Sequence, residues 1–322
     1  MAGSTPRLGI DMRNPIEIKK VEQMAENLAK MDPVKGRSLW QDARKRFFKN
    51  RAATASLVVL GLIVLFSAFG GLFAKWPNDE IDWSMLGQIA EMGQPSIQNG
   101  HYFGVDELGR DLFARTIQAN QISLIVGFVG AAVAVFVGTL YGAISGYAGG
   151  RVDSVMMRIV DILSAVPYFF IVILLLVVFG RSIIMIFVGI GLVNWLSCAR
   201  IVRGQTLSLK QREFVQAAQA MGVPPFKIVV RHIIPNLIGV VIVYGSLLVP
   251  EMILAESVIS FLGVGVQEPQ TSLGVLISEG TATMQYGTFW QLGFPLAFFT
   301  LILFCFFYIG DGLRDALDPK DR

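Results

Sequence analysis

Charge is scarce in this sequence. Only 16% of its 322 residues are Asp, Glu, Lys or Arg, against about a quarter in ordinary soluble domains, while 53% are hydrophobic. The apolar residues are gathered into blocks that approach the ~20 residues a helix needs to cross hydrocarbon, which a single soluble core would not require. Cysteine is nearly absent: Cys198 and Cys305 both fall in or beside apolar blocks, with no metal-ligand spacing and no pairing suited to a structural disulfide. The two histidines, His101 and His232, are isolated, and no Ser-His-Asp or Cys-His set can be assembled around them. There is no GxxxxGK[ST] phosphate loop, so nucleotide binding in that cradle is excluded. Residues 1–51 are largely polar, unlike a cleavable signal peptide, and the first apolar block is expected to act as the insertion signal. No internal repeat or low-complexity tract is present. What remains is a polytopic, all-α membrane protein.

Six spans can be drawn. The first, 52–74, is free of charge; the others are Ile122 to Tyr147, Ile159 to Phe179 with Asp161 and Pro167 near its start, Ser182 to Ala199, Ile233 to Leu254 with a continuation past Glu256 to Leu262, and Phe289 to Ile309. Basic residues orient them, because positive loops stay in the cytoplasm. With the N-terminus inside, 23 Lys and Arg lie on the inner side and 4 outside: Lys75, Arg110, Arg115 and Arg181. Both termini are therefore expected in the cytoplasm. Trp76 and Trp290 fall at outer span ends, where amphipathic rings favour the headgroup zone.

The resulting organisation is a cytoplasmic arm over 1–51, a first span over 52–74, an outer connection over 75–121, a five-helix core over 122–312 with an inner loop over 200–232, and a cytoplasmic tail over 313–322. In the arm, Asn14-Pro15 with Glu17 matches a helix N-cap, first position and capping-box partner, and Val21, Met24, Leu28 and Met31 come after at helical spacing. This predicts a short amphipathic helix, lying either on the membrane or the protein's inner face, or in a regulatory contact.

The stretch EFVQAAQAMGVPPFKIVVRHIIPN, residues 213–236, interrupts the apolar pattern on the inner side. Glu213 to Met221 suits a short helix, and Phe214, Ala217, Ala218 and Met221 are expected on one shallow face. Gly222 can end it in a left-handed conformation, Pro224-Pro225 suits the start of a second helix, and Pro235 marks the start of the fifth span. The residues alone allow either an ordinary connecting hairpin or a helix, corner and lever that receives another protein.

The order Gln216-Ala217-Ala218, Gly222 and then Ile234-Pro235 resembles the EAA loop of ABC-importer permeases, whose coupling helix seats in a groove of the cytoplasmic ATPase. Gln216 replaces the motif's glutamate and His232 its distant isoleucine. Further blocks are similar to the C-type permease of dipeptide and oligopeptide importers: HYFGVDELGRDLFARTIQANQISL, GGRVDSVMMRIVDILSAVP, ARIVRGQTLSLKQREFVQAAQAMG, ESVISFLGVGVQEPQTSLG and LRDALDP. The resemblance runs from about Arg46 to the C-terminus.

It implies a type I ABC-importer permease fold with six transmembrane helices in the bacterial cytoplasmic (inner) membrane. A second, B-type permease would complete the pathway, two cytoplasmic ATPase subunits would hold ATP and Mg, and an external substrate-binding protein would deliver peptides. This chain would bind no cofactor, metal or nucleic acid and catalyse nothing. Glu213, Phe214, Gln216, Ala217, Ala218, Met221 and Gly222 would form the ATPase-coupling element, with Pro224, Pro225 and Pro235 as its corner and lever. Related permeases serve nickel, glutathione or peptide antibiotics, which leaves the cargo open.

On the outer side Asp106, Gly109, Arg110 and Asp111, together with Glu256, Phe261 and Gly263, belong to the resembling blocks. Asp106, Glu107, Arg110 and Asp111 lack calcium-loop spacing and read as organisers of the outer connection. Glu256 reads as structural, whereas Glu251 is open between structure and function. Arg151, Asp153, Arg158 and Asp161 suit either a salt-bridged turn or a secondary subunit contact, and Pro167, Pro250 and Pro295 are expected to kink their helices. Two rival classes are weaker. An ion-driven secondary transporter would show repeats and mid-membrane charge, and an intramembrane enzyme would need paired catalytic groups at membrane depth.

Overall fold

A computed structural model describes residues 39–317, so the amphipathic helix expected over residues 14–31 and the last residues of the tail lie outside the described residues. The chain divides into two units, Met1–Asp42 and Ala43–Arg322; of the first only 39–42 are described, as the opening residues of α1, and every later element belongs to the second. The helices are α1 (Leu39–Lys49), α2 (Arg51–Phe69, extended by a 3-10 turn to Leu72), α3 (Ile89–Met92), α4 (Leu112–Ala148), α5 (Gly150–Ser164), α6 (Tyr168–Phe179), α7 (Ile183–Lys210), α8 (Glu213–Ala220), α9 (Pro225–Ile228), α10 (Ile234–Phe261), α11 (Leu273–Thr283) and α12 (Phe289–Leu317). Among the described residues β-structure is limited to two isolated bridges, Ile81 with Arg110 and Val105 with Asp111.

Among the described residues five helical segments are long and apolar enough to cross a membrane, and six if α5 and α6 count as one span. That pair bends by 77°, where the sequence pattern suggests a single helix from Ile159 to Phe179. Pro167 is the cause: it disfavours the helical conformation before it and cannot donate into the preceding turn. Pro250 and Pro295 are accommodated inside α10 and α12.

Other boundaries also move. α4 begins at Leu112, so the outer connection ends at residue 111 rather than 121, because Asp111 accepts the Ala114 amide at 2.8 Å and fixes the helix start there. α7 runs on to Lys210 and α12 to Leu317, past the apolar blocks, since a helix need not stop where hydrocarbon does. α11 lies between the fifth and sixth spans drawn from the sequence; Ser272 caps it through the Val275 amide.

α4 packs against α7 along glycines spaced by four. A methyl carbon at Gly138 would stand 2.5 Å from Cys198 Cβ, and one at Gly146 2.8 Å from Thr206 Cβ, so the two backbones approach as only small residues permit. α2 lies on α12, and Leu60, Ile63, Ile302 and Phe306 share one buried apolar cluster. Cys198 and Cys305 are buried and unpaired.

Candidate functional site

α8 and the corner after it are built by a recognisable end motif. The Gly222 amide donates to the Gln219 carbonyl at 3.0 Å and the Val223 amide to the Ala218 carbonyl at 3.1 Å, while Gly222 sits at φ +75°. This pairing satisfies carbonyls left open at the helix end and requires a residue that tolerates the left-handed region. Pro224 is extended (φ −62°, ψ 145°) and Pro225 opens the next helix. From Pro225 the helical path continues to Phe261 as one 37-residue span. Residues Val229–Ile233 form a π-helical turn in which the Ile234 amide reaches the Val229 carbonyl. Pro235 comes next; it cannot bond back to Arg231 and its ring crowds that carbonyl, and the widened turn gives it room.

α8 divides its residues between two faces. Val215 and Ala218 are buried in an apolar cluster with Val202, Ile228, Ile233 and Leu237. Glu213, Phe214, Gln216, Ala217, Met221, Gly222, Pro224 and Pro225 are exposed or half-buried, with Phe214 at 42% and Met221 at 76%. Ala218 therefore leaves the expected shared face: it packs inward, one turn from Val215, and is closed to a partner. The outward apolar residues Phe214, Ala217 and Met221 are spaced three and four apart, and Phe226, 76% exposed, extends them past the corner. Gln216 donates to the Gln211 carbonyl at 3.3 Å. Gln219 reaches the Tyr147 hydroxyl at 3.3 Å, and Lys210 donates to the Tyr147 carbonyl at 2.5 Å, which ties the loop to the end of α4. Asp153 on α5 takes two hydrogen bonds from Arg203 on α7, at 2.6 and 2.5 Å, and one from Ser145; Asp161 pairs with Arg200 at 3.3 Å. These acids bridge α5 to α7 rather than closing a local turn.

The opposite end is held by charge. Asp106 accepts the Leu108 and Arg110 amides at 2.9 Å each, Arg110 Nε at 2.7 Å and Arg115 Nη1. Arg115, whose side chain is 3% exposed, also meets Glu279 of α11 at 2.7 and 3.1 Å, and Arg110 meets Glu268 at 2.7 Å. Gly109 turns with φ +75° where a side chain would stand 2.9 Å from the Asp82 carbonyl.

Beside them the buried His101 lies between Asp111 (2.8 Å from Nδ1) and Asp82 (3.4 Å from Nε2), stacked on Trp76 at 4.9 Å. Burial opposes the imidazolium, but Asp111 and then Asp82 outweigh it and raise the His101 pKa. Asp82 is likewise opposed by burial, yet Ser84 and His101 hold its carboxyl below the usual range. Trp76 donates to the Asn99 carbonyl at 3.0 Å and Trp290 to that of Val105 at 3.2 Å, so both indoles anchor the outer connection.

Glu256 is fully enclosed and accepts from Ser260 at 2.6 Å, Ser123 at 3.1 Å and Ser257 at 3.4 Å; the Ser123 hydroxyl in turn accepts the Leu273 amide. One carboxylate thus links α4, α10 and the start of α11. Phe261 ends α10 and accepts Ser278 through its carbonyl at 3.0 Å, and Gly263 turns the chain at φ +77°. Sequence reasoning passes over Arg115 with Glu279, and His101 with Asp82. The partners lie far apart along the chain, and only the basic residue on the sparsely charged side hints at the first pair. Among the described residues no group of three or more His, Cys, Asp or Glu could hold a metal.

This helical bundle, with its cross-linked end and its exposed glycine-cornered helix, belongs to the family described as binding-protein-dependent transport system inner membrane components, which matches residues 138–322. Residues 38–89 match the N-terminal TM domain of oligopeptide transport permease C. The chain is 56% identical over 304 residues to the oligopeptide transport system permease protein OppC of Escherichia coli K12, covering 94% of this chain and 99% of that protein. It is 52% identical over 302 residues to OppC of Haemophilus influenzae, covering 94% and 95%, and 42% identical over 293 residues to the dipeptide transport system permease protein DppC of Bacillus subtilis, covering 90% and 89%.

Proposed function

We infer that this chain is one of two permease subunits of an ATP-driven importer of peptides in the bacterial cytoplasmic membrane. Six spans, with α5 and α6 together as one, and both termini in the cytoplasm are the arrangement that the distribution of Lys and Arg favours. A B-type permease completes the pathway, an external binding protein delivers the cargo, and two cytoplasmic ATPases bind ATP and Mg. The peptide cargo is carried over from the oligopeptide and dipeptide permeases that this chain resembles.

The observation that carries the reading is the exposed apolar ridge of Phe214, Ala217 and Met221, joined through the Gly222 corner to a helix that continues from Pro225 to Phe261. A ridge on a short helix offers an ATPase a seat. Because the corner leads straight into a long helix, closure of the ATPases moves α8 and that movement is transmitted along α9 and α10 toward the other end. Gln219 ties α8 to Tyr147 at the end of α4, which Lys210 ties to α7, so the bundle moves with it. The chain itself performs no chemistry; its task is to form the pathway and pass on motion.

Purification of the tagged chain from its native host tests this reading. A B-type permease and two ATPase subunits are expected to accompany it, and vesicles holding the full set are expected to import peptide only with ATP and the binding protein. Transport by this chain alone, driven by an ion gradient, would overturn it.

A further inference from the structure

Two carboxylates lie on α10, and they are treated differently. Glu256 is enclosed by Ser123, Ser257 and Ser260. Glu251 is exposed and makes no hydrogen bond or ion pair among the described residues. Its neighbours Met252 and Ile253 are buried, so the packing of α10 fixes Glu251 on the outward face. Met252 beside it packs toward Gly130 of α4, eight residues in from the outer end of the second span at Ile122, about 12 Å at ~1.5 Å per residue and well inside the ~30 Å of hydrocarbon. A carboxylate at that depth is strongly disfavoured against lipid and is found instead facing a partner or a water-filled path. Its surroundings are polar. Tyr244 lies two turns earlier on the same helix face and packs against the cluster that holds Cys198 of α7, next to the exposed Ser197. Asn194, one turn before Ser197, is half-buried on the same side of α7.

We propose that Glu251, with Tyr244 and Ser197, is a mid-membrane site on the transport pathway that receives the α-ammonium of the peptide in transit. The carboxylate accepts a charge-assisted hydrogen bond from the ammonium, and the phenol and hydroxyl oxygens offer acceptors for its remaining protons. Every peptide with a free N-terminus carries this group, whose pKa is about 7.7–8.0, so one carboxylate recognises the class without selecting a sequence. The proposal rests on the peptide-import reading above.

The test uses the complete importer in proteoliposomes with its binding protein. Glu251→Cys is exposed to a water-borne cationic methanethiosulfonate during ATP turnover; Cys198 and Cys305 are buried and serve as the unreactive background. Reaction at position 251, slowed at least tenfold by saturating peptide, is expected. Glu251→Gln is expected to lower peptide uptake at least tenfold in an assembled complex, with Glu251→Asp retaining most of it. A cysteine that stays unreactive in every nucleotide state places position 251 against lipid or protein and overturns the proposal. So does wild-type uptake by Glu251→Gln, or failure of that variant to assemble, which marks a structural ion pair with the partner permease. A wild-type complex that imports no peptide overturns the peptide-import reading itself; wild-type import left intact by Glu251→Gln overturns only the site.

Discussion

At Arg115 the chain buries a guanidinium against Asp106 and Glu279, joining the outer connection, α4 and α11 through groups that water does not reach freely. At Gly222 it does the reverse, leaving Phe214, Met221 and Phe226 exposed on a short helix fixed underneath by Val215 and Ala218. The first region is ordered by long-range pairs, the second by a local end motif and a small apolar footing. One is built to stay as it is; the other presents an unfilled surface on an element joined through Gly222 to a 37-residue helical span. The contrast teaches where stability and motion reside in this chain, and mutations can separate them.

The largest effect is expected at the charged end. Arg115→Leu takes from Asp106 one of its two guanidinium partners, Arg110 staying at 2.7 Å, and leaves the half-buried Glu279 with Arg110 alone at 4.0 Å; the cost is about 3 kcal/mol, the lower end of the range for breaking a buried pair. Thermal unfolding of the purified chain should show a sharply lowered midpoint, and Arg115→Lys, which keeps the charge but not the fork, should fall between. An unfolding midpoint unchanged in Arg115→Leu would show that the cluster does not hold this end together.

Next is the contrast between adjacent alanines. Ala218→Leu forces a larger side chain into the cluster of Val215 and Ile228 and should destabilise the chain by about 1–3 kcal/mol. Ala217→Leu alters only the exposed ridge; it should leave the unfolding midpoint in place and reduce co-purification of the ATPases. If the two variants lower stability alike, the division of α8 into an inner and an outer face is wrong.

At the corner the effect is smaller in energy and concentrated in function. A side chain at Gly222 meets nothing within 4 Å, so the penalty is that of φ +75° for a residue with a Cβ, about 1–2 kcal/mol. Gly222→Ala and Gly222→Leu should therefore behave alike. Both should lower ATP-driven uptake severalfold while the external binding protein still captures its cargo. Leucine much worse than alanine would mean that bulk, supplied by a docked partner, decides the effect.

How far these two regions can be read from the sequence differs for the same reason. The Gly222 corner is legible because its cause is local: a glycine after an amphipathic turn and a proline pair suited to a helix start need no distant partner. Ala218 is misplaced by spacing alone because it stands at the edge of the ~100° arc of those four residues, on the side of Val215, and only packing against α7 and α9 decides which alanine turns inward. The charged end is half legible. Asp111 as a cap and Gly109 as a turn are local, whereas Glu279 lies 164 residues from Arg115 and in a helix whose apolar content gives no span. The bend at Pro167 is marked by its proline, yet its size depends on how α5 leaves the α4–α7 pair, which no spacing records.

The smallest predicted effect uses pH to address one region and spare the other. His101 lies between Asp111 and Asp82 and binds its proton more tightly folded than unfolded, despite its burial. Its contribution is therefore complete below the unfolded value of about 6.5 and is lost as pH rises through the higher folded value. Asp82, held below its ordinary range, acts in the other direction: its contribution is present above about 3.9 and lost as pH falls through the lower folded value. Between these limits the clamp is intact, so the unfolding midpoint should decline as pH is raised above about 6.5. His101→Gln removes the titrating group and should flatten that decline, whereas Gly222→Ala, far from any part of the clamp, should keep the wild-type slope. Equal slopes in wild type and His101→Gln would show that the imidazolium between the two carboxylates contributes nothing to holding the outer connection on α4.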